Sequence, residues 1–326
     1  MNTAYDRIPT GSVDVLTVTL NPAVDQTITI PDFSAGSVNR VQQVQTCAGG
    51  KGVNVASVLA DFGVSVAVTG FLGIDNVALF EEMFKQRGIS DRFLKLPGST
   101  RMGVKIIDPL NRQTTDINFP GQSVPTGGVA DLLRLIESID FKWCVLAGSV
   151  PPGVDPAIYQ TITAALKASG RKVAVDASGE PLRLAITASP DVVKPNIDEL
   201  SEMLGRTISS RDELLSATLS LIASGVGLVV VSMGGDGAWF VSRDEAILAV
   251  PPKVDVVSTV GAGDAMVSGI VAANLSAMSL AECAKLATSF SLEAVSRVGA
   301  GLSRDADRWH EMVTLEKVDM PLVETR

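Results

Sequence analysis

Ser258-Thr259-Val260-Gly261-Ala262-Gly263-Asp264 runs without a break into Ala265-Met266-Val267-Ser268-Gly269-Ile270, so a glycine turn opens a helix expected over 263–275. Consecutive amides at a helix N-terminus favour negative charge, including charge that develops in a transition state. The glycines on either side of Ala262 leave room for a phosphoryl group. Asp264 has two readings here. It caps the helix, or it faces a hydroxyl and accepts its proton.

The elements around this turn alternate. Strands are expected over 13–20, 66–71, 143–147, 173–176 and 228–232, and helices over 53–61, 78–86, 156–167, 214–223 and 280–298. Gly88 reads as a stop signal for the second of these helices. Asp155 reads as the N-cap of the third, with Pro156 in its first turn. Alternating strands and helices imply an α/β fold with a mainly parallel sheet. Two stretches, Val24–Thr46 and Arg101–Phe119, break the rhythm with strand-like alternation and no helix between. Such strands usually form a separate small antiparallel sheet. Two insertions far apart in sequence then pair as one lid over the strand ends, where α/β sites lie; the other reading is an extended edge of the main sheet. The expected plan is a tail over 1–12, a main domain over 13–23, 47–97 and 121–326, and a lid over 24–46 and 98–120.

Composition narrows the function. The chain has 326 residues, 46% hydrophobic and 19% charged, which is globular and long enough for a sizeable core. Its net charge of -9 argues against nucleic acid and anionic membranes as partners. A small anionic substrate stays compatible with it through a local basic pocket. Cys47, Cys144 and Cys283 are far apart, with no CxxC pair, which favours a reducing compartment and a cytoplasmic location. The single histidine, His310, reads as a surface residue, which disfavours a Ser–His–Asp triad and His-rich metal sites. No stretch approaches ~18 uninterrupted apolar residues, so no membrane span is expected.

Four further motifs carry chemistry. Gly49-Gly50-Lys51-Gly52-Val53-Asn54 precedes a helix; it is neither a Walker A loop nor GxGxxG, and reads as an anion cradle or a tight turn. Lys194-Pro195-Asn196-Ile197-Asp198-Glu199-Leu200 places a carboxylate and an amide at a helix start. That suits Mg²⁺ held partly through water, or simply a favourable first turn. Ser232-Met233-Gly234-Gly235-Asp236-Gly237 is a glycine turn between strands, and Gly148-Ser149-Val150-Pro151-Pro152-Gly153 is a rigid strand-end loop.

In this order and spacing, GGKGVN, GSVPPG, KPNIDEL, SMGGDG and STVGAGD resemble the ribokinase-like (PfkB) carbohydrate kinase family from about Val13 to about Val298. Thr19-Leu20-Asn21-Pro22-Ala23-Val24-Asp25, Gly70-Phe71-Leu72-Gly73 and Ile117-Asn118-Phe119-Pro120-Gly121 are most similar to the branch acting on fructose 1-phosphate. Branches acting on tagatose 6-phosphate and fructose 6-phosphate share much of the pattern. The resemblance implies a Rossmann-type three-layer main domain with a small β-sheet lid, ATP and Mg²⁺, a sugar-phosphate substrate, and a homodimer through the lids.

It also implies roles. Asp264 matches the base that takes the acceptor proton, O6 for fructose 1-phosphate, and Gly261, Ala262 and Gly263 match the anion hole. Asp25, Gly49, Gly50 and Asn54 match sugar contacts, with Ser149 on the same side. Arg101 matches a lid contact to the sugar phosphate, helped by Lys51. Asn196 and Glu199 match the Mg–ATP region, Glu199 holding the metal through water. Lys194, Ser232, Gly234 and Gly237 match the nucleotide side. Two residues depart from the pattern. Ser258 stands where many members carry an aspartate of a monovalent-cation site, which leaves potassium activation open. Asp116 stands where the fructose 6-phosphate branch has a basic phosphate contact. A sugar-phosphate-binding regulator without catalysis is the reading from another class, and the intact Asp264 speaks against it.

Overall fold

The computed structural model describes residues 12–297, 301–303 and 307–320. The tail expected over 1–12 lies outside them but for Ser12, as does the end of the expected main domain. The first third of the chain forms β1 (Val13–Thr19), β2 (Ala23–Thr29), β3 (Gln43–Gly49), α1 (Lys51–Asp61), β4 (Val66–Gly73), α2 (Ala78–Arg87), β5 (Ser90–Asp91), β6 (Leu94–Leu96), β7 (Met102–Asp108) and β8 (Gln113–Asn118). The middle forms α3 (Gly128–Ser138), β9 (Phe141–Ala147), α4 (Ile158–Ala168), β10 (Lys172–Asp176), α5 (Gly179–Ile186), β11 (Val192–Val193), α6 (Ile197–Leu204) and α7 (Arg211–Ala223). The last part forms β12 (Leu228–Ser232), β13 (Ala238–Val241), β14 (Ala246–Val250), α8 (Ala262–Leu275), α9 (Leu280–Val295), α10 (Asp307–His310) and β15 (Thr314–Val318).

The main sheet runs β15-β14-β13-β12-β11-β10-β9-β1-β4-β5, with β6 also paired to β4. It is parallel from β12 across to β5 and antiparallel from β12 out to β15. Its central strands are apolar on both faces because both faces are covered. Val15, Val145 and Val230 join a core with α1, α2, α8 and α9. Leu16, Leu146 and Val231 join a second core with α3 to α7. This is the α/β fold expected from the alternation, in the three layers that the family resemblance implies.

A separate four-stranded sheet has the order β3-β2-β7-β8, so the two insertions pair with each other and do not extend the main sheet. It departs from the all-antiparallel expectation. Each hairpin is antiparallel, but β2 and β7 pair in parallel. The reason is topological. Both hairpins follow parallel strands of the main sheet, β1 and β6, so their first strands run the same way.

Smaller differences have local causes. α4 starts at Ile158, with Ala157 and not Asp155 at its N-cap position. The Asp155 carboxylate instead accepts from Ala157 N at 2.8 Å, closing a turn one step ahead of the helix and leaving Pro156 inside that turn. α9 ends at Val295, short of the expected 298, which lies outside the described residues. The helices α3 and α5 and the strand β15 carried no strong signal in the sequence.

Candidate active site

Gly261 begins the site. Its φ of +77° is left-handed, which glycine adopts without strain, and it stands at the N-cap of α8. Just before it, Ser258 Oγ accepts from Val260 N at 3.2 Å and tightens the turn. Asp264 then falls in the first helical turn and is 6% exposed. Its Oδ2 accepts from Asn54 Nδ2 at 2.7 Å, which joins α8 to α1. Burial, and then the negative charge of Asp176, push the Asp264 carboxyl up to about 6, against the pull of Lys51, Asn54 and Lys194. A carboxylate tuned this way is a competent proton acceptor near neutral pH.

Two ammonium groups face it. Lys51 Nζ and Lys194 Nζ each stand 3.3 Å from Asp176 Oδ1. A Cβ on Gly263 would lie 3.3 Å from Lys194 Nζ, so this cation rests against the first turn of α8. Burial opposes the Lys51 charge, but Asp176, Asp264 and Glu199 together more than offset it and hold that ammonium above the ordinary lysine range. Amides, two cations and the carboxylates of Asp176 and Asp264 thus converge on one small volume.

The residues expected on the nucleotide side gather beside it. Lys194, Pro195 and Asn196 leave β11 alongside the end of β12, where Ser232 N donates to Pro195 O at 3.2 Å. Asn196 and Glu199 form a reciprocal capping box on α6. Glu199 N donates to Asn196 Oδ1 at 2.7 Å and Asn196 N donates to Glu199 Oε2 at 2.9 Å. Gly234 opens a short 3₁₀ turn that Gly237 closes. Among the described residues no group of three or more His, Cys, Asp or Glu side chains could hold a metal. Side chains alone therefore offer too few ligands for Mg²⁺, and Glu199 suits the ion only where substrate phosphates and water complete the shell.

Most of the residues expected on the sugar side lie on or beside the second sheet, and Ser149 follows β9 of the main sheet. Asp25 on β2 sits between strands at two glycines: a Cβ on Gly49 would meet its Oδ2 at 2.0 Å, and one on Gly103 its Oδ1 at 2.6 Å. Burial, eased by Arg101 and Lys105, raises the Asp25 carboxyl to about 6. Gly50 caps α1 and so links Asp25 to Lys51 and Asn54. Ser149 Oγ accepts from Asn21 Nδ2 at 3.0 Å. Arg101 is more committed than its expected role implies. Its Nε and Nη2 donate to Asn21 O at 3.3 and 3.2 Å, and its Nη1 donates to Phe119 O at 3.2 Å. Three of its five N–H bonds serve the backbone, which leaves two for an anion.

Two groups in this region escaped the motif reading. Asp176 had only its place at a strand end as a signal. Lys105 lies across β7–β8 from Asp116, pairs with it, and is on the sheet face that carries Asp25.

The pfkB family carbohydrate kinase profile matches residues 18–307. A curated 1-phosphofructokinase from Rhodobacter capsulatus is 49% identical over 291 residues, covering 88% of this chain and 92% of its own.

The chain belongs to the pfkB family of carbohydrate kinases.

A 1-phosphofructokinase from Escherichia coli K12 is 37% identical over 310 residues, covering 94% and 97%. The phosphofructokinase-2 of Escherichia coli, solved in complex with fructose-6-phosphate, superposes with a TM-score of 0.85 at 26% identity, covering 92% and 98%. Membership in a kinase family makes ATP the expected phosphoryl donor, typically with Mg²⁺. Among the described residues no helix is long and apolar enough to cross a membrane.

Proposed function

We propose that this pfkB kinase transfers the γ-phosphoryl group of ATP to O6 of fructose 1-phosphate, giving fructose 1,6-bisphosphate and ADP. The observation that carries it is the 49% identity to a named 1-phosphofructokinase across 88% of the chain. The buried Asp264–Asn54 pair supports the chemistry.

Phosphoryl transfer needs positioning and charge stabilisation more than covalent help from the protein. Asp264 accepts the O6 proton while Asn54 orients its carboxylate. The amides of Gly261, Ala262 and Gly263 receive the charge spread over the phosphoryl oxygens, with Lys51 and Lys194 beside them. Asp25, with Gly49, Gly50 and Ser149, holds the sugar hydroxyls. The two free N–H bonds of Arg101 meet the 1-phosphate. Lys194, Asn196, Ser232, Gly234 and Gly237 border the nucleotide. Glu199 would hold Mg²⁺ through water, and the ion would supply neutralising charge to the phosphates.

The second sheet serves as the lid over 24–46 and 98–120 and excludes water on closing. Exposed Val44, Met102 and Ile117 share its other face, which supports a homodimer through the lids. Three free cysteines, two of them buried, support a cytoplasmic enzyme.

Fructose 6-phosphate is the second reading, favoured by the phosphofructokinase-2 superposition. The Lys105–Asp116 pair disfavours it, because Asp116 neutralises a cation where a second phosphate contact would be needed. ADP release with Mg–ATP and each of fructose 1-phosphate, fructose 6-phosphate, tagatose 6-phosphate, fructose and ribose decides among them by kcat/KM. A preference for a 6-phosphate or a free sugar replaces the acceptor and keeps the chemistry. Ligand binding with no ADP from any acceptor means a regulator.

A further inference from the structure

We propose that Asp176 is a positioning residue: its one carboxylate holds the Lys51 and Lys194 ammonium groups together against the first turn of α8. The inference rests on the kinase reading above and deepens it. Asp176 ends β10 and is 1% exposed. Both ammonium groups stand 3.3 Å from the same oxygen, Oδ1. The other oxygen, Oδ2, is buried with no hydrogen-bond partner.

That arrangement is a poor one for stability. Buried carboxylates in structural roles have both oxygens satisfied, and a bare one costs desolvation free energy with no return. The two cations also come from separate elements. Lys51 is the first residue of α1, and Lys194 follows β11. Like charges brought this close repel unless an anion lies between them. Asp176 is that anion, and Gly148 N fixes its backbone by donating to Asp176 O at 3.0 Å. The cations are therefore placed before any phosphate arrives, and the site need not reorganise when charge develops. The same negative charge faces Asp264 together with Lys51 and Lys194, and after burial it is the next cause of the raised Asp264 carboxyl.

Asp176→Asn keeps the shape and removes the charge. The expected kcat is about 100-fold lower. KM for ATP does not rise, because the freed ammonium groups have lost a competing anion. The acid limb of kcat moves to lower pH, because Asp264 has lost a negative neighbour, and the limb's position does not depend on how much of the variant folds. The Asp176→Asn and Lys51→Met losses are less than multiplicative when combined, since one acts through the other. A readout without turnover accompanies these. Acylation of Lys51 at pH 9, followed by peptide mass spectrometry, is about tenfold faster in Asp176→Asn, because without the Asp176 charge more of the amine is neutral. An unmoved acid limb with multiplicative losses, or an unchanged Lys51 labelling rate, overturns the proposal. Wild-type protein run in parallel separates the two readings. No ADP from any acceptor sinks the kinase reading and leaves the labelling test standing, whereas an active wild type with an equally active Asp176→Asn sinks this one.

Discussion

Asp264 is the residue on which the proposed chemistry turns, and its surroundings make two predictions. Asp264→Asn keeps the hydrogen-bonding shape and loses the base, so kcat is expected to fall about 10²- to 10⁴-fold while ATP and sugar phosphate still bind. Steady-state turnover beside calorimetric titration checks this, and wild-type turnover would remove Asp264 as the base. The sign of the pH effect follows from the raised carboxyl, at about 6. The base works only when ionised, so kcat rises with pH through that value and is lost below it. A profile flat from pH 5 to 8 would contradict the assignment. Arg101 gives a third test. With two N–H bonds left over from its backbone contacts, Arg101→Ala is expected to raise KM for the sugar phosphate at least ~10-fold, in line with the loss of a charge-assisted hydrogen bond, and that for ATP far less. Equal effects on both would make Arg101 a strut and not a ligand.

The helices deliver these residues, and α8 does so from a tight seat on α9. A Cβ on Gly269 would stand 2.5 Å from the Ala287 Cα, so the two helices meet backbone to backbone at that point. Gly269→Ala is expected to push them apart and cost ~1–3 kcal/mol of stability, as overpacked cores do. Because the same helix carries Asp264 in its first turn, kcat should fall with it. Chemical denaturation and turnover on one preparation check both, and an unchanged midpoint would mean the helices yield freely. α6 shows the opposite economy. Its capping box of Asn196 and Glu199 is legible as a helix start, and the same two side chains border the proposed nucleotide site. A local folding signal and the proposed binding role fall on the same residues, which is why motif spacing alone left both readings open.

The whole molecule is two sheets with different duties. The main sheet is buried on both faces and aims its strand ends at the site. The second sheet turns Asp25, Lys105 and Asp116 to one side and Val44, Met102 and Ile117 to the other. In the proposed lid-to-lid dimer, Ile117→Asp is expected to shift sedimentation from dimer to monomer, because a charge buried in an apolar interface is costly. Unchanged sedimentation would place any dimer contact elsewhere. The α/β alternation, the glycine turn before α8 and the order of the five motifs were all legible in the residue string, because each rests on local periodicity or on backbone freedom at neighbouring positions. Asp176 was not legible, nor were the parallel join of β2 to β7 and the commitment of Arg101 to two carbonyls. Each depends on groups far apart in the chain, such as Lys51 and Asp176, or Asn21 and Arg101, that meet only after the sheet has brought its strand ends together.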